Sequence, residues 1–143
     1  MAPMTDIRSR ITAFLATRRH GIISTLHADG SVESALVAIS ETPALAITFG
    51  TFDDTRKFAN ILRDPRVAFV VTDDENIEVQ LEGRARITEG AEHEQCKQRH
   101  LAKNAKTAKY ADDPKQRFIV VEPTWIRFTD RTVNPSRVEE LRI

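Results

Sequence analysis

Apolar positions recur along the chain in two periods, and the switches between them divide it into elements. Residues 5–18 carry Ile7, Ile11, Phe14 and Leu15 at i, i+4, i+7 and i+8, the stripe of an amphipathic helix. Thr5 or Asp6 stands at its N-cap, Arg18 and Arg19 suit its negative C-terminal end, and Gly21 would terminate it. Gly21–Leu26 then reads as a strand, His27–Gly30 as a turn with Asp29-Gly30 as the hairpin signal, and Ser31–Ile39 as the returning strand. Ala35 and Ala38 keep one surface of that strand low. Glu41–Ala44 makes a tight connection to a third strand, Leu45–Phe49.

The most informative stretch runs from Gly50 to Val71. Asp53 and Asp54 are good N-cap residues, so a helix is expected to begin near Thr55, with Phe58, Ile61 and Leu62 as its buried face. Pro65 stops it, because the residue before a proline is pushed out of the helical region. Val67–Val71 is a β-branched run of strand length. Thr72–Asn76 is a polar turn. Ile77–Ile87 alternates apolar and polar residues, and Gly83 inside it signals a bulge or a close backbone approach. Glu89 to about Tyr110 is a charged helical excursion broken near Asn104 and ended by Asp112–Pro114. Arg117–Glu122 and Thr124–Asp130 read as two strands split by Pro123, and the tail 131–143 as polar, extended or weakly helical. Consecutive strands joined by tight turns pair antiparallel. The pattern therefore predicts a mainly β protein with flanking helices, six or seven antiparallel strands curled into a small barrel.

Composition narrows the function classes. The chain has 143 residues and 41% hydrophobic content, which fits a single domain over 1–143. Its formal net charge is zero, against the basic field that a nucleic-acid binder needs. No apolar run approaches the length of a membrane span, and the opening Met1–Arg8 shows no apolar core of a signal peptide. One cysteine, Cys96, leaves no internal disulfide. A cytoplasmic protein without nucleic-acid or membrane partners is expected.

One local feature asks for a ligand. Arg56 and Lys57 fall in the first turn of the expected helix, where the dipole already presents its positive end. Free backbone N–H groups, the Thr55 hydroxyl and two cations together make a phosphate cradle. The bland alternative is a solvated cluster in which Asp53 and Asp54 supply the compensating charge.

The order of elements resembles the pyridoxamine 5′-phosphate oxidase-like family of split-barrel flavoproteins. Four features carry the resemblance: the Gly21–Gly30 hairpin, the segment Thr55–Val71, the strand Val79–Ala85 with Gly83 inside it, and the closing Glu122–Phe128. They span roughly residues 20 to 130. The resemblance implies a homodimer with FMN at the subunit interface. It assigns the phosphate to Thr55, Arg56 and Lys57, and flavin-ring contacts to the strand around Thr48, Phe49, Gly50 and Thr51. The second strand, about Ser34, Ala35, Leu36 and Val37, would lie along the ring, Gln80 would reach it, and the partner subunit would contribute Trp125 or Arg127. His27 or Ser34 would stand near enough to relay protons. The implied activity is a flavin-dependent oxidoreductase passing hydride through FMN to a small-molecule substrate. The second strand lacks the basic residues of the true oxidase, and the arginine-rich C-terminal signature is missing, so vitamin B6 oxidation is not expected.

Rival readings stay open at this point. Deazaflavin-dependent reductases of the same fold share the spacing of Lys57, Asn60, Asp64 and Pro65, so a deazaflavin coenzyme is the alternative cofactor. Other relatives bind haem, and a non-enzymatic flavin- or haem-binding module is a third reading. His93, Cys96 and His100 share a helical face at i, i+3 and i+7, the weak outline of a zinc site without a fourth ligand; no metal is expected.

Overall fold

A computed structural model describes residues 6–143. The alternative cap Thr5 and most of the opening stretch read for a signal peptide lie outside them. Helix α1 (Ile7–Ala16) is capped by Asp6, which accepts from the Ser9 amide at 2.8 Å. It ends at Thr17, earlier than expected. Gly21 does not terminate it but sits inside strand β1 (His20–Leu26), where a Cβ would press on Val71 and Phe69 at 3.1 and 3.2 Å.

After β1 come β2 (Val32–Ala38), the two-residue β3 (Ser40–Glu41), β4 (Ile47–Phe52), helix α2 (Arg56–Arg63), β5 (Arg66–Thr72) and β6 (Ile77–Ile87). Helix α3 (Gly90–Lys103), a 3₁₀ turn (Ala105–Thr107) and the short α4 (Ala108–Ala111) form the helical excursion, which does break at Asn104. Strands β7 (Gln116–Asp130) and β8 (Arg137–Arg142) close the chain. All pairings are antiparallel, in the order β2-β1-β5-β6-β7-β4-β3 with β8 beside β7. The sheet curls into a half-barrel, as a split barrel requires. Its inner face holds Ile23, Phe49, Phe69, Leu81 and Ile126, all buried, and α1 adds Ile11 and Leu15.

Two local expectations are corrected and one is settled. First, β7 runs unbroken through Pro123. The register against β6 shifts at Glu82/Gly83, where Trp125 faces Glu82 and Pro123 faces Gly83, leaving Thr124 as the extra residue of a bulge. A proline fits there because the disturbed ladder does not need its missing N–H. Gly83 is required by close approach: a Cβ would meet the Glu122 carbonyl oxygen at 2.5 Å. Second, of the extended and weakly helical readings of the polar tail, the extended one holds, and Arg137–Arg142 is strand β8. Its outward residues are exposed, so burial left no alternation in the sequence, and pairing with β7 alone makes it a strand. Third, Leu62 is exposed, at 64%, and Asn60 takes its place in the buried face of α2. The helix rolls towards β1 because the Asn60 amide donates to Thr25 Oγ1 at 2.9 Å.

The sheet is open between β2 and β4, which are not hydrogen-bonded to each other. Helix α2 leaves β4 at this opening through Phe52–Thr55.

A candidate anion and cofactor site at the open seam of the barrel

Thr55 sets the start of α2. It is the N-cap itself, its Oγ1 accepting from the Phe58 amide at 3.4 Å and lying 2.9 Å from Thr51 Oγ1. The same hydroxyl reaches the Phe52 carbonyl at 3.0 Å, which ties the cap to the end of β4. The amides of Arg56 and Lys57 have no backbone acceptor among the described residues, as expected for the first two positions of a helix.

Asp53 and Asp54 do not compensate the first-turn cations. Asp53 pairs with Arg117 and Asp54 with Lys115, each at 3.0 Å, both on β7 or the loop before it. Arg56 pairs instead with Glu33 of β2 at 2.7 Å. Lys57 has no ion-pair partner among the described residues, and it is half-buried. Desolvation pushes its pKa below the ordinary lysine value. A half-buried cation without a counter-charge, set against the positive end of a helix, is costly unless an anion joins it.

Two clefts meet at this residue. The smaller, of 210 Å³, lies between β1, β2 and the start of α2, bounded by Ile23, Glu33, Ser34, Ala35 and Arg56. The larger, of 360 Å³, lies in the seam, with Leu36–Ala38 on one wall, Gly50–Phe52 on the other, and His100, Tyr110 and Gln116 behind. Thr55 and Lys57 line both. Gly50 makes room for the Gln116 side chain, whose amide would collide with any Cβ at that position. Phe52 and Tyr110, both lining this cleft, meet edge to face with ring centroids 5.8 Å apart. His100 is buried beside Ser40, its Nδ1 3.2 Å from the hydroxyl oxygen. Burial, reinforced by the charges of Lys103 and Arg99, pushes its pKa down to about 4, so it enters the cleft as a neutral imidazole at pH 7.

The structure gathers Ser34, Ala35, Leu36, Gly50, Thr51, Thr55, Arg56 and Lys57 around these two clefts. Thr48 and Phe49 stand apart. Thr48 is fully buried and accepts from Arg99 at 3.1 Å, and Phe49 packs on Phe69 in the core. The larger cleft is lined by the C-terminal half of β4, Gly50, Thr51 and Phe52, and Thr48 and Phe49 precede it. Gln80, Trp125 and Arg127 lie outside both clefts of their own chain. Gln80 donates to Glu78 at 2.7 Å, Trp125 Nε1 donates to Glu140 at 3.2 Å, and Arg127 lies 3.9 Å from Glu140. His27 sits beside the smaller cleft, 3.5 Å from Glu33 and 3.4 Å from Asn60. Of the Lys-Asn-Asp-Pro spacing, only Lys57 faces the clefts. Asn60 bonds inward, and Asp64 and Pro65 shape the helix exit, where Asp64 receives Arg66. His93 and His100 flank the Phe118 ring at 5.3 and 5.7 Å, and no group of three or more metal-ligating side chains is assembled among the described residues.

Sequence reasoning missed Glu33, Phe52, Tyr110 and Gln116. Glu33 carried one signal, as the only charged residue in the second strand. The other three come from separate segments and carried none.

A family model described as pyridoxamine 5′-phosphate oxidase matches residues 7–130. The chain belongs to that family. No curated protein matches it. Among solved structures, a haem-binding protein from Mycobacterium smegmatis superposes with a TM-score of 0.80 at 21% identity, over 99% of this chain and 59% of that one. General Stress Protein 26 from Bacillus anthracis gives 0.78 at 21% identity, over 97% and 100% of the two chains. A conserved hypothetical protein from Mycobacterium tuberculosis gives 0.75 at 22% identity, over 92% and 89%. The chain thus spans only part of the first of these and nearly all of the other two. At such identities the likeness speaks for the pyridoxamine 5′-phosphate oxidase fold, not for a shared ligand. No helix among the described residues is long and apolar enough to cross a membrane.

Proposed function

We propose that this protein binds FMN and acts as an oxidoreductase, passing hydride between the flavin and a small organic substrate. The observation that carries the reading is Lys57, a half-buried first-turn cation without a counter-charge, standing where two clefts meet. The donor set fits a phosphate: an ammonium, a guanidinium with donors to spare, a hydroxyl and two free amides. The larger cleft, walled by Leu36, Gly50 and Phe52, fits a flat and partly apolar group. When bound, the flavin supplies the hydride chemistry. The residues of the chain would hold the phosphate through Thr55, Arg56 and Lys57, orient the ring against Gly50 and Thr51, and keep water from one side of the cleft with Phe52 and Tyr110. His100 would offer a neutral imidazole in the same cleft.

A homodimer belongs to the proposal. The outer face of the sheet exposes Ile22, Val32, Leu36 and Val70, at 45, 68, 68 and 37%. Ile22 faces both Leu36 and Val70 across the ladder, so these three form one apolar patch, with Val32 on the same side of β2 beyond the Ser24–Ser34 pair. Gln80 and Trp125 share that face and are proposed to serve the neighbouring subunit's flavin. Haem binding, the property named for the Mycobacterium smegmatis protein, is the second reading. It asks for an iron ligand in the cleft, where the imidazole of His100 is already engaged by Ser40.

An absorbance spectrum of the purified protein, followed by titration with FMN, a deazaflavin coenzyme and haemin, tests the assignment. Tight FMN uptake is expected. Uptake of deazaflavin or haemin alone would overturn it.

A further inference from the structure

Glu33 is an unusual neighbour for a phosphate cradle. It lies on the inward side of β2, opposite Thr25, and lines the smaller cleft together with Thr55, Arg56 and Lys57. Two contacts pin it there. Its Oε2 is 2.7 Å from Arg56 Nη2, and its Oε1 accepts from Asn60 Nδ2 at 2.8 Å. Asn60 is 1% exposed and also donates to Thr25, so the amide cannot swing away and the carboxylate stays beside the helix start. His27 stands on the other side of the same carboxylate at 3.5 Å.

We infer that Glu33 is a specificity-determining residue that lessens the preference of the cradle for a doubly charged phosphate monoester over a phosphate bearing a single negative charge, without reversing it. The inference rests on the phosphate reading of Lys57 given above. Arg56 and Glu33 cancel in formal charge, which leaves Lys57 and the helix end as the uncompensated positive charge. A phosphate monoester carries about 1.5 to 2 negative charges at pH 7, whereas a diester carries one. Each additional charge on the ligand adds one more repulsion from the Glu33 carboxylate, at ångström range and in a site partly shielded from water. Arg56 keeps donors free for the ligand while it holds Glu33, so the acid tunes the site without closing it.

The test compares FMN, its singly charged methyl phosphodiester and uncharged riboflavin on the full chain, by quenching of flavin fluorescence. Glu33→Gln keeps an acceptor for Arg56 and Asn60 and removes the charge. It is expected to shift the affinity ratio about tenfold towards FMN over the methyl diester, with riboflavin unchanged. Glu33→Ala, at a side chain 27% exposed, provides a second variant and should shift the ratio the same way. An unchanged ratio in the folded variants would overturn the inference, as would equal loss of all three flavins, which would make Glu33 a structural prop. Failure of the unaltered protein to take up any of the three would refute the flavin reading itself.

Discussion

Replacing Lys57 by Met separates the cost of the site from its use. The substitution keeps length and apolar stem and removes one charge. In the folded chain that charge opposes the helix dipole, has no ion-pair partner among the described residues and is half-buried. A cation at this end of a helix costs about 0.3–1 kcal/mol. Lys57→Met should therefore stabilise the ligand-free protein by about 0.5–1 kcal/mol, which raises the melting temperature by about 2–3 °C in a chain of this size. Linkage gives the same sign. The folded-state pKa of Lys57 lies below its ordinary value of 10.5, so the unfolded chain holds the proton more tightly. Stability then rises as pH climbs through the window just beneath 10.5, and Met should abolish that rise. The same change should weaken FMN, because a charge-assisted bond to phosphate contributes about 1.5–3 kcal/mol, equivalent to about 10–100-fold in affinity. Urea unfolding without ligand and flavin fluorescence quenching read the two effects separately. Arg56→Met provides the contrast, since it breaks the contact with Glu33 and should not stabilise the chain. A Lys57→Met protein that is no more stable and binds FMN as before would refute the reasoning.

The remaining predictions concern the frame around the site. Gly83→Ala should cost about 2–3 kcal/mol in urea unfolding, because the new methyl meets a backbone carbonyl at 2.5 Å that cannot step aside; a loss below about 0.5 kcal/mol would mean the bulge yields. His100 is held neutral, with its pKa at about 4 against 6.5, so its contribution is present above pH 6.5 and is lost as pH falls towards 4. The loss should approach about 2–3 kcal/mol and be largely absent in His100→Gln, as measured by urea unfolding at a series of pH values. Val70→Glu places a charge on the exposed apolar face, beside Ile22, and should convert a dimer into a monomer by light scattering; a dimer of unchanged affinity would remove this face as the interface.

Local periodicity and local chemistry were enough for the sequence to determine the hairpin at Asp29-Gly30, the stop at Pro65 and the helix that begins beside Thr55. The hairpin, the stop and the helix start depend on residues close in the chain, where sterics and hydrogen bonding act over a few positions; Gly83 was legible only as a break in its strand, since what crowds it is Glu122 on β7. The cations of the first turn were equally legible, because a helix dipole has a known direction. What balances those cations was not. Asp53 and Asp54 are adjacent in sequence, yet they face Arg117 and Lys115, while Glu33, more than twenty residues earlier, reaches Arg56. Charge pairing depends on distance in space, and only the curl of the sheet brings β2 against α2. The same reason covers the rest. Pro123 stays within a strand because a bulge across from Gly83 absorbs it, β8 is a strand because β7 lends it an edge, and Asn60 rather than Leu62 turns inward because Thr25 and Glu33 wait there. The seam between β2 and β4, with Gln116 over Gly50 and Tyr110 in its lining, exists only where segments far apart in the chain meet.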